Sequence, residues 1–381
     1  MKYCRKCITP DSRPNIYFNE HGVCNACLAH ETKREINWAE REKAFQDVVQ
    51  YAKTHSRGYD GVIPVSGGKD STWQLIKCLE YGLHLLAVTW KTPVRTEIGK
   101  KNLENLIKLG VDHIDYQINP SVEKKFMYEA LVRYGSTAIP MHMAIYHIPP
   151  KIAVNFDAPL VIWGENGAFE YGCTEDERNG FVMDRAWIKK HGATHGLTAE
   201  DFVSEKLSRR DLTPYMVLDD AELKGKGVLS IFLGFYFKWD PVESFRVAQA
   251  HGFQTSDEGP RTGYYNFADI DDDFISIHHY LKWFKFGFTR LFDNLSLEIR
   301  NSRLTRERAI QIVRETGNQA PYDDIEKFCD FVGIAKSHFF DVIEKFRNRN
   351  IWVTRNGKWI IKDFLIPDWD WTEETHEVQA Q

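Results

Sequence analysis

The chain has no excess of positive charge, because its 49 lysines and arginines are outnumbered by 54 aspartates and glutamates. Proteins that bind nucleic acid through its phosphates usually carry a basic footprint. The formal net charge of -5 therefore gives no overall reason to expect DNA or RNA as a partner.

Long apolar runs are absent as well. No stretch approaches the roughly eighteen uninterrupted apolar residues that a transmembrane helix needs. Residues 1–4 do not begin the apolar core of a signal peptide. We therefore expect neither a membrane span nor secretion, and we predict a cytoplasmic protein. In that compartment the seven cysteines favour metal binding or catalysis over disulfides.

Four of the cysteines form two Cys-x2-Cys pairs, Cys4 with Cys7 and Cys24 with Cys27. Their spacing lies within the range of a four-thiolate zinc site, so we predict a structural Zn²⁺ bound by these four residues. Four thiolates leave no open position for a substrate, which argues against a catalytic zinc. The alternatives are two disulfides, which the compartment disfavours, and an iron–sulfur cluster, for which a different spacing is typical.

Short apolar runs alternate with helical patterns in the middle of the chain. The runs predict strands at residues 61–65, 85–90, 113–118, 160–163 and 228–237. This alternation is typical of an α/β fold with a doubly wound parallel sheet. Ligands of such sheets bind beyond the carboxyl ends of the strands, so we expect residues 66–71, 90–95 and 164–170 to surround one crevice.

Three domains are predicted. Residues 1–32 form a zinc ribbon, residues 33–255 the sheet domain, and residues 256–381 a mostly α-helical domain. The stretch at 254–263 is rich in Gly, Ser, Thr and Pro and marks the second boundary. Near the end of the chain, Asn356 and Gly357 between two apolar runs predict a β-hairpin over residues 350–362.

A glycine-rich loop follows the first predicted strand. It consists of Ser66, Gly67, Gly68, Lys69, Asp70 and Ser71. Glycines let the backbone approach a ligand, serine hydroxyls donate hydrogen bonds, and the N-terminus of the following helix presents free N–H groups to an anion. The loop is neither a Walker A motif nor a G-x-G-x-x-G dinucleotide turn. It predicts a phosphate-binding cradle, and the alternative is a structural glycine turn.

The hexapeptide at 66–71 resembles the PP-loop of the ATP-pyrophosphatase superfamily. The resemblance implies that the six loop residues and Gly164 bind ATP. It also implies that the backbone around Val88 contacts the adenine. Members of the superfamily transfer AMP to an oxygen and release pyrophosphate. In that chemistry Lys69 neutralises charge on the leaving phosphates and Asp70 holds Mg²⁺.

Further segments resemble the N-acetyl sugar amidotransferase family over nearly the whole chain. They are residues 3–10, 64–71, 161–166, 170–172, 232–240 and 285–287. The resemblance implies that the N-acetyl group of a nucleotide-linked sugar is converted to an acetamidino group, for surface polysaccharide such as lipopolysaccharide O-antigen or for nonulosonate biosynthesis. The amide oxygen is adenylylated, and ammonia then replaces AMP.

No glutaminase is visible in the chain. Lys2 stands where one glutaminase class has an N-terminal nucleophilic cysteine, and residues 22–26 resemble the nucleophile elbow of the other class only loosely. The family resemblance implies that ammonia comes from a separate HisH-like glutaminase through a HisF-like barrel subunit.

Several residues near the crevice are candidates for binding the acceptor substrate. Glu165 is predicted to orient the amide or ammonia, and Asn166 to hydrogen-bond a phosphate or sugar oxygen, with a capping turn as the alternative. The predicted sugar-pocket residues are Tyr171, Lys238, Asp240 and Lys285. Asp240 precedes Pro241 and is equally typical of a helix cap.

The basic residues of the C-terminal domain have two possible roles. Lys285, Arg290, Arg300 and Arg303 either bind the diphosphate or carboxylate of a sugar nucleotide or form a solvated helix face. His278 and His279 are predicted to be surface or packed residues.

Two other functions compete with the amidotransferase. A tRNA thiolase also joins cysteine knuckles to a PP-loop but needs an active-site cysteine, for which Cys173 is the candidate near the crevice. A non-catalytic nucleotide-binding scaffold would leave Lys69 and Asp70 without a role.

Overall fold

Five short apolar segments form one parallel sheet in the computed structural model, which describes residues 1–174, 177 and 180–371. The strands are β1 (Gly61–Pro64), β2 (Leu85–Trp90), β3 (Asp112–Tyr116), β4 (Leu160–Trp163) and β5 (Leu229–Phe232). Their order in the sheet is β3-β2-β1-β4-β5, and all neighbours are parallel. The strand order reverses between β1 and β4, which leaves a crevice beyond their carboxyl ends.

Helices cover both faces of this sheet. In chain order they are α1 (Asn25–Thr32), α2 (Trp38–His55), α3 (Lys69–Glu80), α4 (Glu97–Ile107), α5 (Pro120–Tyr134), α6 (Ile139–Asn155), α7 (Gly167–Tyr171), α8 (Arg185–His191), α9 (Asp220–Gly225), α10 (Leu233–Tyr236) and α11 (Pro241–Ala250). Successive strand residues face opposite sides. Val62 of β1 packs with α5 and α6, and Ile63 packs with α2, α3 and α4. The predicted doubly wound α/β fold is confirmed.

The fifth predicted strand is too long. A single strand was expected over residues 228–237, but β5 ends at Phe232 and the short helix α10 follows. The Gly234 N–H donates to the Gly164 carbonyl oxygen at 3.0 Å. A Cβ atom on Gly234 would lie 3.1 Å from the Cα atom of Glu165. The chain therefore turns against the loop after β4, a tertiary contact that its apolar sequence does not reveal.

The C-terminal region is helical, as predicted, up to a hairpin. Its elements are α12 (Ile275–Phe286), α13 (Arg290–Arg300), α14 (Arg306–Thr316), α15 (Tyr322–Val332), α16 (Lys336–Glu344), β6 (Trp352–Arg355) and β7 (Lys358–Ile361). Asn356 and Gly357 join β6 to β7 with φ angles of 51° and 75°. Positive φ at both positions is what a tight two-residue hairpin requires. The predicted hairpin is confirmed.

The N-terminal cysteine knuckle, residues 1–27, packs on this helical region. Ile8 belongs to an apolar cluster with Trp283, Phe288 and Leu291. The Arg306 side chain donates to the carbonyl oxygens of Cys4 and Cys7 at 3.3 and 3.1 Å. The two ends of the chain are therefore in contact, and the domain division at residues 32 and 255 stays a prediction. Part of the predicted third domain, residues 372–381, lies outside the described residues.

Within the described ranges we find no helix with the length and apolar character needed to cross a membrane.

A buried ion pair joins α1 to α7. Lys33, which caps the C-terminus of α1, places its Nζ atom 2.6 Å from both carboxylate oxygens of Glu170, and each side chain is 5% exposed. Removing one partner of a buried pair leaves an uncompensated charge, whereas replacing both by apolar groups is often neutral.

We expect Lys33→Met to lower the apparent free energy of unfolding in urea by about 3–5 kcal/mol. The double variant Lys33→Met/Glu170→Met should recover most of this loss. Lys77→Met is the control, because the Lys77–Glu80 pair is partly solvated and should contribute less than about 1 kcal/mol. Equal losses in the single and double variants would contradict this account.

Candidate functional site

The glycine-rich loop connects β1 to α3 at the carboxyl edge of the sheet. Gly67 has φ of +88°, and a Cβ atom there would lie 2.6 Å from the Leu103 backbone nitrogen. Neither the conformation nor the space accepts a side chain at this position. Gly68 is the N-cap of α3, and no side chain caps the first turn. The N–H groups of that turn therefore point toward an anion-binding position.

Side chains of the loop fix its shape. The Ser66 hydroxyl accepts from the Gly68 N–H at 3.2 Å, and the Ser71 hydroxyl donates to the Gly68 carbonyl oxygen at 3.0 Å. Burial raises the pKa of the nearby Asp271 carboxyl group, and the Ser66 hydroxyl opposes this shift. Asp271 reaches the loop because Gly99 lacks a side chain, since a Cβ atom there would lie 2.7 Å from the Asp271 Cα. The C-terminal region thus touches the loop directly.

Lys69 and Asp70 begin α3 and contact each other. The Lys69 ammonium donates to the Asp70 carboxylate, and the Trp239 indole N–H donates to the other Asp70 oxygen at 2.9 Å. Lys69 is only 6% exposed and lies about 6 Å from the rings of Trp239 and Phe267. A carboxylate has further lone pairs beyond these two bonds, so Asp70 suits the oxygen-liganded Mg²⁺ predicted for it.

The loop after β4 carries Gly164, Glu165 and Asn166. Burial, with the nearby Asp70 carboxylate, raises the pKa of Glu165 to about 7, and Lys69 opposes this shift. Asn166 caps α7, where its Oδ1 atom accepts from the Ala168 N–H at 3.1 Å and the Trp187 indole at 3.2 Å. Its Nδ2 atom donates to the Gly180 carbonyl oxygen. Asn166 therefore holds α7 and Trp187 in place, and its catalytic role stays a prediction.

A cavity of about 1020 Å³ opens beside Gly164 and Glu165. Its walls are one face of α12, helix α8, the segment at 193–196 and residues 13–15 of the cysteine knuckle. Two of the predicted sugar-pocket residues, Tyr171 and Lys285, line this cavity together with Arg290.

The other two predicted sugar-pocket residues do not line the cavity. Lys238 is exposed on the surface. Asp240 is the N-cap of α11, accepting from the N–H groups of Val242 and Glu243 at 2.9 and 3.1 Å. Its second oxygen accepts from Arg303 at 2.7 Å. Asp240 thus has the capping role that the sequence offered as its alternative.

Val88 lies in the middle of β2 and is 1% exposed. Its carbonyl oxygen accepts from the Val65 N–H at 2.9 Å. The adenine contact at Val88 stays a prediction.

Several lining residues were not singled out for the site from the sequence. They are Arg13, Tyr146, His279 and Lys282. For the two residues of α12 a signal existed, because the lining positions 275, 278, 279, 282, 285 and 286 recur at helical intervals and share one face. Arg13 and Tyr146 reach the cavity only through tertiary packing.

The four knuckle cysteines form a compact cluster. All four sulfur atoms lie within 4.8 Å of one another and are buried. The Cys4–Cys27 and Cys7–Cys24 sulfur distances are 3.9 and 3.7 Å. Tetrahedral Zn²⁺ with bonds of about 2.3 Å places its sulfur ligands about 3.8 Å apart. The cluster therefore fits the predicted structural zinc, which would join the two halves of the knuckle.

We expect the purified protein to contain about one zinc ion per chain, because the cluster is closed and all-thiolate. Cys7→Ser should reduce the bound zinc, measured by atomic absorption, and lower the unfolding temperature. Cys329→Ala is the control, because Cys329 is equally buried but lies outside the cluster. Zinc-free protein of unchanged stability would contradict the prediction.

Comparison with known protein families gives a match in the C-terminal region. A family model described as "LPS biosynthesis protein WbpG-like, C-terminal domain" matches residues 259–365. The comparison with curated proteins gives no match.

Several solved structures resemble the chain, including two synthetases. One is an NMN synthetase from Francisella tularensis, 14% identical, with a TM-score of 0.33, covering 84% of this chain and 99% of that chain. The other is an NH3-dependent NAD synthetase from Campylobacter jejuni in complex with the nitrate ion, 17% identical, with a TM-score of 0.28, covering 58% of this chain and 99% of that chain. Identities and scores this low support no statement about the chemistry of this chain.

The family resemblance predicted from the sequence is confirmed in the C-terminal region, where residues 259–365 match the WbpG-like C-terminal domain.

Proposed function

We propose that the protein is an ATP-dependent, AMP-forming amidotransferase that converts the N-acetyl group of a nucleotide-linked sugar to an acetamidino group. One observation carries the proposal. The uncapped loop with Lys69 and Asp70 lies at the point where the strand order reverses. Glu165 lines the large cavity, and its carboxyl group interacts electrostatically with Lys69 and Asp70. An anion cradle beside an acceptor-sized cavity is the arrangement that transfer between two bound substrates requires.

The proposed reaction has two balanced steps. The acceptor amide oxygen attacks the α-phosphorus of ATP, the bond to the β-phosphate breaks, pyrophosphate leaves, and the amide nitrogen loses its proton. Ammonia then adds to the activated carbon, and AMP leaves with the former amide oxygen. The product is an amidine, which is protonated at neutral pH.

The chain's own residues have defined tasks in these steps. Lys69 and the N–H groups of the first turn of α3 stabilise charge on the leaving phosphates. Asp70 would hold Mg²⁺, and the ion would supply charge that neutralises the same phosphates. Glu165 accepts a proton from the amide or from ammonia, because a base whose pKa is near 7 exchanges protons efficiently at neutral pH.

The acceptor and the ammonia source extend the proposal. The match to a lipopolysaccharide biosynthesis domain supports an acceptor sugar destined for surface polysaccharide. Following the family resemblance, we propose that ammonia is supplied by a separate HisH-like glutaminase and HisF-like barrel subunit. The cytoplasmic location stays a prediction.

No observation favours the tRNA thiolase. Such an enzyme needs a reactive cysteine at its acceptor site, but the side chain of Cys173 is 2% exposed and does not line the cavity. A non-catalytic scaffold would not need the buried Lys69 next to Asp70.

Incubation with ATP, Mg²⁺, ammonium and UDP- or CMP-linked N-acetyl sugars tests the proposal. We expect AMP and pyrophosphate in equal amounts, with a sugar product lighter by the difference between an oxygen atom and an NH group. Lys69→Met should lower kcat by about 10²–10³-fold, the effect of removing a group that stabilises transition-state charge. Lys77→Met on the outer face of α3 is the matched control. Release of ADP would reject the loop assignment.

The pH dependence of kcat/KM tests the role of Glu165. The active base is the carboxylate, so the rate should fall about tenfold per pH unit below the pKa and level off above it. The midpoint in the free enzyme should lie near the Glu165 pKa of about 7. Glu165→Gln should remove this acidic limb as well as lower the rate. If the limb persists in Glu165→Gln, another group acts as the base.

A further inference from the structure

One face of α12 forms a wall of the large cavity. The lining positions are Ile275, His278, His279, Lys282, Lys285 and Phe286. They recur at intervals of three and four residues, so they project from the same side of the helix. Lys282 and Lys285 are consecutive positions of that stripe, and both line the cavity.

Cations exceed carboxylates around this wall. Arg13 and Lys282 approach the same carboxylate, that of Asp293, at 2.7 and 3.7 Å. Arg290 pairs with Asp269 at 3.0 Å. The cations of Arg13, Lys282 and Arg290 therefore share the two carboxylates. This group has a net positive charge even without Lys285.

Lys285 has no ion-pair partner among the residues that the structure describes. Burial, with repulsion from the Lys282 ammonium, lowers the pKa of Lys285 to about 8. A half-buried lysine beside a second lysine lacks an anion that would stabilise it.

His279 provides a second unsatisfied group on the same face. It is 5% exposed, and its Nε2 atom lies 3.7 Å from the Asp269 carboxylate. This distance is too long for a hydrogen bond, and neither ring nitrogen has a hydrogen-bond partner among the described residues. Burial, with the Lys282 charge, lowers the pKa of His279 to about 4, so the ring is neutral and carries one N–H donor. Buried polar groups are normally hydrogen-bonded, which indicates that a ligand atom completes this one.

The basic wall is separate from the phosphate cradle. No residue of the loop at 66–71 lines the cavity, whereas Glu165 and Gly164 do. The volume of about 1020 Å³ is at the upper end of the range for small-molecule pockets, about 300–1,000 Å³. The cavity therefore has room for a nucleotide-linked sugar that reaches from the basic wall to Glu165.

We propose that the α12 face binds the diphosphate of the nucleotide that carries the acceptor sugar, with Lys285 and His279 contacting its oxygens and directing the N-acetyl group toward Glu165. The identity of the reacting group rests on the proposed function, whereas the anion site stands on the cavity alone. Lys285 is a substrate-binding residue here, not a proton donor in the chemistry.

Isothermal titration calorimetry with UDP, in the absence of ATP and Mg²⁺, tests the site directly. We expect UDP to bind and uridine, which lacks phosphates, to bind at least about tenfold more weakly. Lys285→Gln should weaken UDP binding about tenfold or more, the effect of losing one charge-assisted hydrogen bond. Lys285→Arg should retain most of the affinity because it keeps the charge. Lys345→Gln, an exposed lysine at the end of α16, is the matched control and should bind as the wild type does.

Three results would overturn the site: equal binding of UDP and uridine, wild-type affinity in Lys285→Gln, or Lys285-dependent binding of glucuronate without binding of UDP. The last result would assign the wall to a sugar carboxylate instead. Failure of the amidotransferase is distinguishable from failure of the site. Lys285-dependent UDP binding without formation of AMP and pyrophosphate would refute the reaction and leave the anion site intact.

Discussion

Parallel strands direct their carboxyl ends to the same edge of a sheet, and in this protein the order of those strands reverses between β1 and β4. The loops that follow the two strands cannot be covered by a helix crossing between them, so they face each other across a crevice. The first loop has an uncapped helix N-terminus, and the second carries Glu165. Other parts of the site are attached to these loops, since the Trp239 indole donates to Asp70 and the Trp187 indole of α8 donates to Asn166.

Both ends of the chain close the crevice. From the N-terminal knuckle, Arg13 donates to the Tyr171 carbonyl oxygen at 3.1 Å and pairs with Asp293 of α13. From the C-terminal region, Asp271 packs against Gly99, and its carbonyl oxygen accepts from the Thr96 N–H at 3.1 Å. A cysteine cluster of this kind gives a short segment a fixed shape that its small apolar core could not maintain alone. A fixed shape of this segment would also fix one wall of the cavity, since residues 13–15 line it.

Burial shifts the pKa values of the ionisable groups at the two ends of the cavity in opposite directions. Near the β4 loop, burial and Asp70 favour the protonated form of Glu165, and the pKa of its carboxyl group rises to about 7. Along α12, burial and crowding of cations favour the neutral forms, and the pKa of Lys285 falls to about 8. Both shifts have desolvation as their largest cause. A bound diphosphate would stabilise the charged form of Lys285. A proton transfer to Glu165 would form the neutral carboxyl group that burial favours.

The amino-acid sequence by itself determined the features that depend on neighbours along the chain. The spacing of Cys4, Cys7, Cys24 and Cys27, the glycines of the loop at 66–71, the Asn356–Gly357 turn and the alternation of strands and helices all follow from local geometry, and the cysteine cluster, the sheet and the hairpin agree with them. Only the tertiary structure decided that the strand after residue 228 ends at Phe232, that Asp240 pairs with Arg303, and that Arg13 and His279 meet at one cavity. These outcomes depend on contacts between residues far apart in the chain, whose energies are not encoded in any short stretch of sequence.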